Sequence, residues 1–97
     1  MPTYAWLSRF RADFERLTPA QQALFLSAVQ QFVEDLTQGR AFRNGLRVKG
    51  IRGATGLFEM TWAPDGRATF EYGDEVTVGH THVVWRRVGT HDVFNRP

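Results

Sequence analysis

The chain has 97 residues and a mass of 11.1 kDa, which is room for one domain with one modest core and excludes a cofactor domain beside a substrate domain. Hydrophobic residues make up 42% and charged residues 23%, a balance that excludes a disordered chain, and no apolar run reaches the roughly 18 residues of a membrane span. The absence of cysteine excludes disulfides, thiolate catalysis and cysteine-based zinc sites. The opening Met1-Pro2-Thr3-Tyr4-Ala5-Trp6 lacks the basic flank and apolar stretch of a signal peptide, so a cytoplasmic address is expected.

Net charge is only +2, but it is unevenly spread. Residues 40–52 carry Arg40, Arg43, Arg47, Lys49 and Arg52 with no acid, whereas the segments on either side are weakly acidic. Such a strip is either a phosphate-contacting patch or a solubilising surface.

In chain order, a first helix is expected over about 4–17, because Trp6, Phe10, Phe14 and Leu17 recur at helical spacing. Thr18-Pro19-Ala20-Gln21 reads as the start of a second helix: Thr18 as N-cap, Pro19 at the first helical position, Gln21 completing a capping box. That helix is expected over about 19–38, with Leu24, Ala28, Phe32 and Leu36 as its stripe and Gly39 as its stop. So short a link implies an antiparallel hairpin.

The hydrophobic period then falls to two. Strands are expected at about 46–51, 57–62, 67–73 and 82–88, with a turn at Pro64-Asp65-Gly66 and a tail over 89–97. Two helices followed by four strands predict an α+β domain, 1–97, in which a helical hairpin packs on one face of a four-stranded, mostly antiparallel sheet. Alternation places Phe58, Met60, Trp62, Ala68, Phe70 and Tyr72 beneath the helices. It leaves Arg47, Lys49, Glu59, Thr61, Arg67, Thr69 and Glu71 on the other face. On the last strand Val84 and Val88 suggest the core side. Val83, Trp85 and Arg87 then fall on the open side, where a Trp beside Arg suits base stacking or packing over a sheet edge or a partner.

Four stretches carry a resemblance. They are Gly45-Leu46-Arg47-Val48-Lys49-Gly50-Ile51, Gly56-Leu57-Phe58-Glu59-Met60-Thr61-Trp62, Gly66-Arg67-Ala68-Thr69-Phe70, and Arg87-Val88-Gly89-Thr90-His91-Asp92-Val93-Phe94. In this order over nearly the whole chain they resemble the RelE/ParE superfamily of bacterial toxins from type II toxin–antitoxin systems. The Gly-Thr-His ending is similar to the RelE, YoeB and YafQ branches. The resemblance implies a ribosome-dependent mRNA endonuclease with no cofactor. It also implies a cognate antitoxin that neutralises the toxin in a hetero-oligomeric complex, with mRNA and ribosomal RNA as further partners and no membrane. It puts Arg67 at the scissile phosphate, His91 in the catalytic position after the last strand, Arg87 just before it, and Phe94 as the nearby aromatic. The chain departs from the pattern where Phe58, Glu59 and Thr61 stand in place of second-strand lysines, and where Phe94 replaces a tyrosine used by some members.

The chemistry those residues support needs no metal. The 2′-OH of RNA attacks the adjacent phosphorus and expels the 5′-oxygen, so a protein need supply only a base, an acid, charge stabilisation and in-line geometry. His91 is the first candidate for acid or base, its ordinary pKa of about 6.5 lying near neutrality. Glu59 is the second, although a Glu beside Arg67 also reads as an ion pair. Arg67 and Arg87 suit the phosphorane charge. Arg47 and Lys49 suit the RNA backbone, and Trp85 and Phe94 suit base contact. His80-Thr81-His82 lacks a third ligand at suitable spacing for a metal site. Two further readings compete: a non-catalytic, ParE-like inhibitor of DNA gyrase, and a catalytically weak relative that binds antitoxin.

Overall fold

The computed structural model describes residues 2–90 and residue 97. Its elements are β1 (Thr3–Trp6), α1 (Ser8–Arg16), α2 (Pro19–Thr37), a 3-10 turn (Asn44–Leu46), β2 (Lys49–Ile51), β3 (Ala54–Ala63), β4 (Gly66–Gly73) and β5 (His82–Gly89). The sheet has five strands rather than four, in the order β1-β5-β4-β3-β2, with β1 parallel to β5 and every other pair antiparallel. The α+β class stands as read from the sequence, but the helix-then-sheet order holds only after β1, a strand that precedes both helices.

The extra strand comes from the expected first helix. Trp6 has helical spacing to Phe10, yet the backbone stays extended as far as Leu7, whose amide donates to the Trp85 carbonyl at 3.0 Å. Thr3–Trp6 pairs with His82–Trp85, so tertiary pairing overrides a helical pattern only one turn long. The second helix follows its local signals. Gln21 N donates to Thr18 Oγ1 at 3.2 Å and Thr18 N to Gln21 Oε1 at 2.9 Å, and Gly39 takes φ +65 just past the end. Its buried face is Phe25, Ala28, Phe32 and Asp35: Ala28 and Phe32 are as expected, but Phe25 stands in place of Leu24, which is half exposed, and Asp35 in place of Leu36, which is only partly buried.

The expected strand from 46 begins at Lys49. Leu46 is buried in the 3-10 turn and Arg47 takes a left-handed conformation, φ 47, which breaks the strand alternation there. The loop leading to this turn hangs on Asp35, which is 1% exposed. Its carboxylate accepts from Arg40 Nε at 2.8 Å, from Arg43 Nε at 2.9 Å and Nη2 at 2.8 Å, and from the Arg43 amide at 3.0 Å. Phe42, between the two arginines, stacks on Phe32 at 4.7 Å. The Arg43 contacts hold the Asp35 carboxyl far below the usual carboxylate range and raise the Arg43 guanidinium. Two of the five cations in the basic strip therefore serve the fold.

β5 carries the largest departure from simple alternation. Thr69 is opposite Arg87, but the next residue, Phe70, is opposite Trp85, so Arg86 is a bulged extra residue. Val83, Trp85 and Val88 all lie in the core, so Val83 and Trp85 are not on the open face as alternation from Val84 predicts, and Val84 is only partly buried. Its ring lies 5.3 Å from Phe70, 5.4 Å from Phe32, 5.6 Å from Phe25 and 6.2 Å from Phe10, joining both helices to the sheet.

Two outcomes follow. A Cβ on Gly66 would sit 2.5 Å from the Trp62 ring, so Gly66→Ala is expected to lower stability by about 1–3 kcal/mol in urea unfolding. Asp35→Asn is expected to lower the melting temperature by several degrees near neutral pH. A depressed carboxyl stabilises the fold above its unfolded pKa of about 3.9 and loses that contribution as the pH falls, so the gap between variant and parent is expected to narrow in acid.

Candidate functional site

The helices cover one face of the sheet, and the other face carries an ordered row of polar side chains. Lys49 on β2 is opposite Glu59 on β3, Glu59 is opposite Thr69 on β4, and Thr69 is opposite Arg87 on β5. One register step along, Thr61, Arg67 and Gly89 form a second row. Cross-strand neighbours of this kind lie about 5 Å apart, so Lys49, Glu59 and Arg67 share one continuous surface.

Among the described residues Arg67 is held by neutral groups alone. Its Nη1 donates to the carbonyls of Gly66 at 2.9 Å and of Ala63 and Pro64 at 3.3 Å, all in the β3–β4 turn. Among the described residues no carboxylate pairs with it, so a fixed guanidinium keeps its charge at the end of the open face. Arg87 is different. It forms a two-pronged pair with Asp13 of α1 through Nε and through Nη2 at 3.1 Å, and Asp13 Oδ2 also accepts the Val88 amide at 3.3 Å. β1 ends beside Trp85, and Asp13 takes over as partner for the β5 edge that β1 leaves unpaired. Arg87 therefore spans the edge, and its charge is already met by a buried acid.

Glu59 pairs with Lys49 at 3.4 Å rather than with Arg67, and its side chain is largely buried. Arg47 is exposed beside β2. Trp85 lies in the core, which removes it as a surface for base stacking. His91 and Phe94 lie outside the described residues.

Residues that alternation alone did not single out complete the surface. Arg86, placed by the bulge, binds Glu71 at 2.9 Å. The oxygen of Pro97 accepts from Arg86 Nε at 3.2 Å and from Thr69 Oγ1 at 3.1 Å. The signal for Arg86 is present in the sequence: Val83 and Val88 are an odd number of residues apart, so both reach the core only if a bulge intervenes. Asp13 had a weaker signal, an acid on the apolar side of α1 between Phe10 and Phe14. Chemically, the face offers an uncompensated Arg67, a Lys49–Glu59 pair and an Arg86–Glu71 pair, which suits a phosphodiester more than an apolar ligand. Among the described residues no group of three His, Cys, Asp or Glu side chains could hold a metal ion.

The two arginines separate by experiment. Arg87→Ala leaves Asp13 buried and unpaired and is expected to lower stability by about 3 kcal/mol. Arg67→Ala loses only bonds to turn carbonyls and is expected to lower it by about 1 kcal/mol, both read in urea unfolding.

No protein-family profile matches the chain, and no curated protein does. Solved structures do. The E. coli DinJ-YafQ toxin-antitoxin complex aligns with 12% identity and a TM-score of 0.65, covering 95% of this chain and 94% of that one. The toxin-antitoxin complex RelBE2 from Mycobacterium tuberculosis aligns with 26% identity and a TM-score of 0.56, covering 94% and 100%. A YoeB/ParE toxin from Agrobacterium tumefaciens aligns with 11% identity and a TM-score of 0.64, covering 92% and 98%. The chain has the fold of these toxins along nearly its full length.

Proposed function

We propose that this chain is the toxin of a toxin–antitoxin system and cuts ribosome-bound mRNA in the cytoplasm. The observation that carries the reading is Arg67, a guanidinium fixed by neutral carbonyls at the end of the open face of a toxin fold. Its charge is available to a phosphorane without breaking an ion pair, so its stabilisation is preorganised.

In the proposed reaction the RNA backbone lies across the open face, with Lys49 and Arg47 along the phosphates. The 2′-oxygen attacks the adjacent phosphorus as its proton passes to a base. The bond from phosphorus to the 5′-oxygen breaks, and an acid protonates the leaving oxygen. The products are a 2′,3′-cyclic phosphate and a 5′-hydroxyl. His91 follows Gly89, the register partner of Arg67, and is assigned to proton transfer. Glu59 is the alternative base, and it would have to leave Lys49 to serve. Arg87 joins the phosphate only by leaving Asp13, which makes it a weaker stabiliser than Arg67. Phe94 is assigned to base contact. A cognate antitoxin, as in the DinJ-YafQ and RelBE2 complexes, holds the toxin inactive.

The test is induction of the chain in cells with mapping of mRNA 5′ ends. New ends inside translated codons are expected, bearing 5′-hydroxyls, and cleavage by purified ribosomes plus toxin should persist with a chelator present. Arg67→Ala is expected to slow cleavage by about 10²–10³, and His91→Ala by about 10²–10⁴. Arrested growth with DNA damage and no new RNA ends would overturn the nuclease reading in favour of a gyrase inhibitor.

A further inference from the structure

Where α2, the 3-10 turn and the end of β3 meet, a cleft of about 410 Å³ opens. It is lined by Leu24, Ser27 and Gln31 of α2, Leu46 of the turn, and Thr61 and Trp62 of β3. Leu24 is half exposed, and Ser27 and Gln31, also exposed, present a hydroxyl and an amide. Trp62 is 7% exposed, and its indole Nε1–H is the one buried side-chain polar group among the described residues without a hydrogen-bond partner. Such a donor is costly to leave unmet and rare in native folds, which points to an acceptor supplied from outside the chain.

We propose that this cleft receives a nucleobase of the bound RNA, one bearing a carbonyl oxygen for the Trp62 N–H, from a nucleotide beside the phosphate on Arg67. The proposal rests on the RNA-cleaving reading and deepens it by naming what sets base preference. Position ties the cleft to the site. Thr61 lines the cleft and is the register partner of Arg67. Ala63 and Pro64 line it too, and their carbonyls each accept from Arg67 Nη1 at 3.3 Å. A phosphate on Arg67 therefore lies about one strand spacing, ~5 Å, from the rim. On the other side Arg47 follows Leu46 and is exposed, a second cation for a neighbouring phosphate. No lining residue carries a charge, and Asp65, at the tip of the β3–β4 turn, is exposed and lies outside the lining.

The lining suits a base better than other ligands. A base is apolar on its faces and polar along its edges. Leu24, Leu46 and Pro64 match the faces, and Ser27, Gln31 and the Trp62 N–H match the edges. A free anion would need a cation inside the cleft, and the lining has none. An apolar side chain of a protein partner would leave the indole N–H unmet, and the flanking Arg67 and Arg47 favour a polyanion. Uracil is favoured over adenine, because its pairing edge carries a carbonyl oxygen where adenine carries an amino group.

The probe is a strand of about eight uridines, each 2′-O-methylated so that no hydroxyl is left to attack. In a series of strands one uracil at a time is removed or replaced by adenine, and binding is followed by fluorescence anisotropy. At one position, loss of the base is expected to weaken binding by about tenfold, a difference of about 1.4 kcal/mol. Adenine at that position is expected to weaken it by about threefold or more. Gln31→Ala and Trp62→Phe are each expected to flatten that preference to within about twofold, whereas Arg67→Ala weakens every strand alike. A merely structural loss would weaken all strands together and leave the ratio intact, and circular dichroism monitors the fold of each variant. No position-dependent base effect, a ratio unchanged in both cleft variants, or no binding overturns the proposal. Ribosomal cleavage is mapped with the same proteins, and Gln31→Ala is expected to cut within about threefold of the parent rate but over a broader set of codons. Cleavage whose base preference survives Gln31→Ala sinks the cleft and leaves the nuclease. Base-selective binding that Gln31→Ala abolishes, with no cleavage by the parent, does the reverse.

Discussion

Between Trp85 and Arg87 the last strand carries one residue more than β4 can pair, since neighbouring residues Thr69 and Phe70 lie opposite Arg87 and Trp85. That bulge decides both faces of the sheet. Without it, Val83 and Val88 could not both be buried, because an odd separation in a regular strand puts them on opposite sides. With it, the indole of Trp85 enters the aromatic cluster of Phe10, Phe25, Phe32 and Phe70, which ties α1, α2 and β4 into one core. The same offset puts Arg86 on the open face beside Glu71 and carries Arg87 to the edge, within reach of Asp13. Core packing and the charge layout of the open face are therefore one decision made at one residue.

Among the described residues, Arg40, Arg43 and Arg87 differ from Arg67 in the nature of their acceptors. Arg40, Arg43 and Arg87 meet buried carboxylates, Asp35 and Asp13, whose burial is tolerable only because they are paired and hydrogen-bonded. Each of these pairs pins a segment with little secondary structure of its own: the loop after α2 in one case, the free edge of β5 in the other. Among the described residues Arg67 meets carbonyls only. A neutral acceptor fixes direction without cancelling charge, which is why the positioned but uncompensated Arg67 stands out as an anion ligand. Arg47, Lys49 and Arg52 line the opposite edge of the sheet from β1, all exposed.

The two faces differ in chemistry. The open face combines fixed charges with small polar groups, which matches a phosphodiester backbone on the proposed reading. The helix face is apolar and incomplete over β1, where Tyr4 and Trp6 are left exposed.

Much of the fold was legible in the sequence. The capping box at Thr18 and Gln21, the stop at Gly39, and the period-two runs through Phe58, Met60 and Trp62 and through Ala68 and Phe70 specify α2, β3, β4 and the α+β class. These signals are local: a cap or an alternation is settled by hydrogen bonds and side-chain directions within a few residues. The identity of β1, the face of Trp85 and the employment of each arginine were not legible. Thr3 pairs with His82, and Asp13 with Arg87 across 74 residues, so these features exist only once distant segments meet. Local sequence determined which segments are helix or strand and where most of the core lies. Tertiary contact alone decided which charges are spent holding the chain together and which remain for a ligand, because an ion pair depends on proximity in space and leaves no period in the sequence.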